Sequence, residues 1–182
     1  MQIIDLKAEQ ADYIAQIADM LVEGFREHWP EAWPDLASAV AEVHQSFEPE
    51  KISRVALDEA GTLVLGWIGG QPTYALVWEL HPLVVRLDKQ TQGIGRALVT
   101  DLEEEVRRRG GLTLTLGSDD DDNQTSLAGA DLYTNLWEQI RDIKNLRRHP
   151  YEFYQKLGYT ITGVVPDANG PGRPDILLSK RL

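Results

Sequence analysis

Leu80-His81-Pro82-Leu83-Val84-Val85-Arg86-Leu87-Asp88-Lys89-Gln90-Thr91-Gln92-Gly93-Ile94-Gly95-Arg96-Ala97-Leu98 is the stretch from which the chain is best read. An apolar strand stops at Val85, a polar turn follows, and Gly-x-Gly opens a long helix. The first N–H groups of a helix have no carbonyl one turn back to bond to. Those donors, together with the positive end of the helix dipole, attract phosphate. Glycines at Gly93 and Gly95 take away side chains that would hold a ligand off the backbone. The segment therefore reads as a pyrophosphate cradle in the middle of the chain.

Spacing separates the known cradles. A P-loop ends in Gly-Lys-Ser/Thr, whereas Gly95 is followed by Arg96 and Ala97. A dinucleotide fingerprint places its glycines directly after the strand, with a third Gly or Ala and an acid about 20 residues on. Gly93 and Gly95 satisfy two positions and Asp119 could imitate the acid, but the third glycine position is Leu98 and Arg86–Gln92 intervene after the strand.

Gln90, Gly93 and Gly95 form Gln-x-x-Gly-x-Gly, and with the preceding strand this resembles the acetyl-CoA-binding segment of the GCN5-related N-acetyltransferase (GNAT) superfamily. The run Leu80–Val85 is similar to that superfamily's bulged central strand. Downstream, Tyr151-Glu152-Phe153-Tyr154-Gln155-Lys156-Leu157-Gly158-Tyr159 resembles its second signature, a helix with Tyr-x-Lys-x-Gly-Phe/Tyr. Many members carry Asn and Ala before this tyrosine; the matching positions here are Arg147 and Pro150. The two signatures and the elements around them span about half the chain, from Leu63 onward. The resemblance implies an α/β fold with a mixed sheet, its central strands splayed to admit the thioester of acetyl-CoA, and flanking helices.

Composition agrees with one enzyme-sized domain over residues 1–182. The chain has no cysteine, which leaves no disulfide, thiolate metal site or cysteine nucleophile. No apolar run approaches the roughly 20 residues of a membrane span and the start lacks a basic n-region. A soluble, cytoplasmic protein that does not engage membranes is expected. The net charge of −11, from 29 acidic and 18 basic residues, argues against nucleic acid as a partner. It suits a small cationic substrate, though acidity also serves solubility.

Apolar spacing predicts a strand over Met1–Leu6 and a helix over Ala8–Phe25. A second helix starts at Leu36, capped by Asp35. Ser53–Asp58 and Thr62–Gly69 read as a hairpin, and Thr73–Val85 as one longer strand. Gly93–Arg109 is a helix ended by Gly110 and Gly111, and Leu112–Leu116 a strand. Leu132, Leu136, Ile140 and Ile143 suggest a further helix, Pro150–Leu157 another, and Tyr159–Val164 with Asp175–Ser179 a closing strand pair.

Site roles follow from this layout. Gln90, Thr91, Gln92, Gly93, Ile94, Gly95 and Arg96 would hold the coenzyme diphosphate. Leu83, Val84 and Val85 would pair with the pantetheine arm as another strand would, and their N–H groups could polarise the thioester carbonyl. From the resemblance, Tyr154 is the general acid; a phenol stays protonated at neutral pH. Glu79 and His81, two apart on a strand, share a face and compete with Asp119 as the base. Trp29, Trp33, Glu31 and Asp35 could form one wall of a cation site, with Asp119 and Asp120 from the acidic run Asp119–Asp122 on the other side. That run lacks calcium-loop spacing, so no metal is expected. The turn-rich Pro166–Asp175 segment, which joins the last two strands, is expected to have a defined conformation and to cover the acceptor site or seal a homodimer.

The sequence thus points to an acetyl-CoA-dependent N-acetyltransferase of a primary amine. The acidic segment resembles that of aminoglycoside 6′-N-acetyltransferases, which implies an aminoglycoside 6′-amine as acceptor and antibiotic resistance as the consequence. Polyamine, amino-acid or peptide amine acceptors, a non-catalytic CoA-binding sensor and a nucleotide-binding oxidoreductase are the alternatives.

Overall fold

The computed structural model describes residues 1–182. The chain divides into two compact units, residues 1–114 with Leu182, and residues 115–181. No helix is long and apolar enough to cross a membrane.

The first unit is an antiparallel meander in the order β1 (Gln2–Asp5), β2 (Ile52–Leu57), β3 (Val64–Tyr74), β4 (Val77–Val85). Helices α1 (Ala11–Phe25) and α2 (Leu36–Gln45) pack together on one face. Ile14, Ile17 and Leu21 recur at helical spacing and meet Val55, Leu57, Trp67 and Val84 from the strands. Burying each such side chain contributes about 1.5–3 kcal/mol. Trp67 is fully buried, and its indole N–H donates to Ser53 Oγ at 2.9 Å, which satisfies the one polar atom it brings inside. On the other face lies α3 (Ile94–Arg108), with Ile94, Leu98, Leu102 and Val106 as its buried stripe. The helices at Ala11–Phe25 and Ile94–Arg108 fall within the predicted spans, because an apolar stripe at a 3.6-residue period leaves little choice of element.

Two boundaries differ from the sequence reading. Strand β3 runs through Gly69-Gly70-Gln71-Pro72 to Tyr74, and the turn into β4 lies at residues 75–76. The expected strand Thr62–Gly69 ends at Gly69, yet Gly69 and Gly70 are both buried inside a strand that runs on to Tyr74. Their neighbours explain it. A Cβ on Gly69 would stand 2.3 Å from the His81 carbonyl oxygen. The register confirms a bulge there. Gly70 pairs with Leu80 and Ile68 with Leu83, so Gly69 alone faces His81–Pro82, whose peptide bond is cis. The expected bulged central strand is present, and its extra residue presses its backbone against Gly69.

The second unit contains β5 (Thr113–Asp119, from Thr115 on), α4 (Leu136–Arg141), α5 (Tyr151–Gln155), β6 (Thr160–Val165) and β7 (Asp175–Arg181). Strand β7 lies between β5 and β6 and runs antiparallel to β6. The helix expected from Leu132 to Ile143 shortens to six residues with no buried side chain. Asn135 adopts a left-handed conformation (φ 52°), which interrupts the helix that Leu132 would have started.

Replacing Gly69 by alanine is expected to destabilise the protein by about 2–4 kcal/mol, since the obstacle is backbone and cannot swing away. Urea unfolding measures this; an unchanged midpoint would show that β4 does not press on Gly69 as described.

Candidate active site

In the first unit the segment expected to cradle a diphosphate is built by three features. The strand β4 hands over to a 3₁₀ turn at Leu87–Lys89, where Arg86 N–H donates to the Leu65 carbonyl at 3.0 Å and Lys89 N–H to the Arg86 carbonyl at 3.0 Å. Thr91 (φ 63°) and Gly93 (φ 85°) then take left-handed conformations on either side of Gln92. Such alternation turns successive N–H groups toward one side and creates an anion-binding concavity. Ala97 N–H makes the first helical bond, to the Gly93 carbonyl at 3.0 Å, so the amides of Ile94, Gly95 and Arg96 lie ahead of the ladder. Gln90, Thr91, Gln92, Gly93 and Arg96 are exposed, while Ile94 is buried and anchors the turn. A methyl on Gly93 would meet nothing within 4 Å. The space over the glycine is open, as a ligand would require.

Beside the cradle, Leu83, Val84 and Val85 pair with Ile68, Trp67 and Gly66. Pairing on one edge directs every second amide away from β3. Glu79 and His81 share the face that carries α1 and α2, as their spacing predicts. Glu79 Oε2 accepts a hydrogen bond from Gln71 Nε2 at 2.9 Å. His81 Nε2 lies 3.6 Å from a Glu42 carboxylate oxygen, and its ring is 6.3 Å from that of Trp33. His81, Glu42 and Gln71 line a cavity of about 150 Å³ together with Gln45 and Gly69. Glu42 and Gln71 are absent from the sequence-derived site. Nothing in their local pattern tells which helix residue will face β4; only the packing of α2 does.

Trp29 and Trp33, expected in one wall of a cation site, both meet the ring of Phe25. Trp33 stacks edge-on against Phe25, with centroids 4.6 Å apart, and Trp29 lies 5.6 Å from the same ring. Glu31 is exposed. Asp35 takes the capping position its place before Leu36 predicts. Its Oδ1 accepts the Ser38 N–H at 2.8 Å in a capping box, and that bond holds its carboxyl below the usual carboxylate range. The side chain serves the start of α2.

In the second unit the acidic run divides by role. Asp120 is fully buried, and its two carboxylate oxygens accept the N–H groups of Gln124 and Thr125 at 2.6 and 2.8 Å. It organises the loop after β5, which corrects its assignment to substrate binding. Asp119 is half-buried, and its Oδ1 accepts from Asn169 Nδ2 at 2.5 Å. Asn169 sits in the β6–β7 loop, which is held by Gly172 N–H donating to Asp167 Oδ1 at 2.6 Å. The turn-rich segment thus has a defined conformation and reaches Asp119. Asp121 has a buried Oδ1 without a hydrogen-bond partner. Burial first, then the charges of Asp119 and Asp120, push its carboxyl above the usual range. Asn169 and Asp121 escaped the sequence reading: one is fifty residues away in the chain, and the other is indistinguishable from its acidic neighbours.

Tyr154 lies on α5, is 8 % exposed, and packs edge-on against Phe153 and Tyr159 with centroids 5.0 and 5.8 Å apart. Burial pushes its hydroxyl well above the ordinary phenol range, so the group keeps its proton over the whole working range of pH. His149, also buried, accepts the Tyr151 N–H on Nδ1 at 3.2 Å and places Nε2 3.1 Å from the Asp119 carbonyl, which assigns the proton to Nε2. No group of three or more His, Asp or Glu side chains is arranged to hold a metal ion.

The model of the acetyltransferase (GNAT) family matches residues 14–133. The chain belongs to the GNAT acetyltransferase family. Solved structures extend the likeness over the full length. An aminoglycoside 6′-N-acetyltransferase complexed with coenzyme A is 42 % identical at TM-score 0.91, with 100 % of this chain and 97 % of that chain covered. The aminoglycoside 6′-N-acetyltransferase from Enterococcus faecium is 40 % identical at TM-score 0.86, with the same coverage. An aminoglycoside 6′-acetyltransferase type Ii is 36 % identical at TM-score 0.73. A comparison with curated proteins gives no match. The fold class read from the sequence, a mixed α/β GNAT fold, therefore stands, and so does its identification as an N-acetyltransferase.

Two variants test these assignments. Gly93→Ala strains a left-handed position and fills the open space, and is expected to raise the KM for acetyl-CoA about tenfold or more; steady-state kinetics decide. Asp121→Asn is expected to raise Tm at pH 7. Asp121 titrates at higher pH when folded than when unfolded, so its charge costs stability once pH rises through the folded value. The gain should vanish below the ordinary carboxylate range, where both states are protonated. A constant gain from pH 3 to pH 7 would contradict the burial argument.

Proposed function

We propose that this acetyltransferase moves the acetyl group of acetyl-CoA to the 6′-amine of an aminoglycoside. The observation that carries this reading is the full-length likeness, at 36–42 % identity, to three aminoglycoside 6′-acetyltransferases. The chain's own chemistry supports it. A net charge of −11 draws a polycation toward the protein, and Glu42, Glu79, Trp33 and His81 offer carboxylates and rings to a cationic sugar. An enzyme of this specificity confers antibiotic resistance.

The acetyl donor is acetyl-CoA, and the residues Gln90–Arg96 hold its diphosphate while Leu83–Val85 carry the pantetheine. The unprotonated amine attacks the thioester carbonyl carbon. A C–N bond forms and the C–S bond breaks. Tyr154 gives its proton to the departing sulfur, and burial is what keeps that proton in place until then. The proton shed by the amine passes to Glu79. One of its carboxylate oxygens accepts a hydrogen bond from the Gln71 amide, which fixes the orientation of the group. His81, beside Glu42, and Asp119, held by Asn169, are the groups to be compared with it. The family match runs across the boundary of the two compact units, which supports one catalytic domain over the chain.

Thiol release from acetyl-CoA with an aminoglycoside bearing a 6′-amine, against its analogue bearing a 6′-hydroxyl, tests the acceptor. Turnover is expected only with the amine; equal rates, or turnover only with simple polyamines, would reject the reading. Tyr154→Phe is expected to lower kcat by about 10²-fold or more with the KM for acetyl-CoA little changed. Glu79→Gln is expected to remove the acidic limb of the pH–rate profile, whereas His81→Gln and Asp119→Asn should leave it.

A further inference from the structure

Helix α3 carries the cradle at its start, so whatever fixes the helix fixes the cradle. Part of the fixing is apolar. A Cβ on Gly66 would lie 2.8 Å from Leu98 Cδ1 and 3.2 Å from Ile94 Cγ2, and one on Gly70 would lie 2.7 Å from Leu102 Cδ1. The helix rests its leucines directly on the backbone of β3. Such contacts set its height above the sheet. They are non-directional, and a small slide along the axis forfeits little dispersion energy.

The directional contact comes from β2. Arg54 is 9 % exposed and sits on the sheet face beneath α3, paired with Ile68 of β3. Its Nε and Nη2 donate to the two carboxylate oxygens of Asp101 at 2.7 and 3.0 Å. Its Nη1 donates to Asp5 Oδ1 of β1 at 2.6 Å, and Glu105, one turn beyond Asp101, stands 3.9 Å away. A guanidinium gripping a carboxylate with two parallel bonds fixes distance and orientation together. Asp101 lies eight positions beyond Gly93, about 12 Å of helix, and a helix transmits an axial shift along that length as a rod does. Amide–phosphate hydrogen bonds near about 2.9 Å weaken steeply past about 3.5 Å. A slide of a fraction of an ångström is enough to loosen them.

We propose that the Arg54–Asp101 fork is a positioning pair for the coenzyme. It locks α3 along its axis and thereby places the amides of Gly93–Arg96 at the correct offset from Leu83–Val85 on β4. The proposal rests on the cradle assignment above and goes beyond it: neither residue approaches the ligand, yet both set its affinity.

The test uses Arg54→Lys, which keeps the charge and loses the fork, and Asp101→Asn, which keeps the shape and loses the carboxylate. Leu57→Ala, a cavity variant on the opposite face of the sheet, serves as the control for general destabilisation. The KM for acetyl-CoA and the Kd for CoA by calorimetry are expected to rise about fivefold or more in both fork variants. Their kcat should stay within about twofold and the acceptor KM should hold. Leu57→Ala, at an equal or larger loss of Tm, should bind CoA as the parent does. Unchanged CoA affinity in the fork variants, or equal loosening in Leu57→Ala, overturns the proposal. Should Arg54→Lys fail to fold, Asp101→Asn carries the test alone. The Gly93→Ala variant separates the two readings. If it weakens CoA binding while the fork variants do not, the cradle stands and only the fork falls; if it binds CoA normally, the cradle assignment itself falls.

Discussion

Strand β3 carries no side chain at Gly66, Gly69 and Gly70, and its neighbours close in on the bare backbone. From one side α3 settles its leucines on Gly66 and Gly70; on the same strand the bulge of β4 brings the His81 carbonyl over Gly69. These approaches are closer than any strand with Cβ atoms would permit. The start of α3 and the segment Leu83–Val85 are thereby placed against a common reference, and those are the two pieces of backbone assigned to the coenzyme. Glycine here is a requirement of packing. A strand of valines would support the same hydrogen bonds and hold both elements too far out.

Charge in this acidic protein is distributed with a purpose that net values hide. Arg54 gathers Asp5, Asp101 and Glu105 beneath α3, so a share of the acidity is neutralised inside the fold. Removing one partner from such a buried group leaves the others uncompensated. At the end of β5 and in the loop after it, three adjacent aspartates receive different environments. Asp120 is enclosed by amides, Asp119 is held by Asn169, and Asp121 is left with an unpaired oxygen. Burial and hydrogen bonding, not composition, decide which carboxylate is available for chemistry.

The glycine turn at the start of α3 and the Tyr154 helix were legible because each is a short, local pattern. Gly-x-Gly after a strand has few mechanical uses, and a stripe such as Ile94, Leu98, Leu102, Val106 has one period. The bulge in β4 was legible through its resemblance to a family pattern. What failed was local punctuation overruled by neighbours. The strand expected to end at Gly69 ran on through Gly70 to Tyr74, because its neighbours close in on the bare backbone there. The spacing Leu132, Leu136, Ile140, Ile143 signalled a long helix and yielded six residues, because Asn135 turns left-handed and no partner buries the face.

The sequence by itself determined the family, the glycine turn that opens α3 and the bulged strand, since all three are encoded in contiguous residues whose backbone preferences act within a turn or two. Only the tertiary structure decided which carboxylates are free. Asp120 became a loop anchor, while Glu42, Gln71 and Asn169 arrived beside the expected site residues from elsewhere in the chain. The physical reason is that a carboxylate looks the same in any sequence. Its charge, its burial and its hydrogen bonds are properties of what the fold brings to within 3 Å of it.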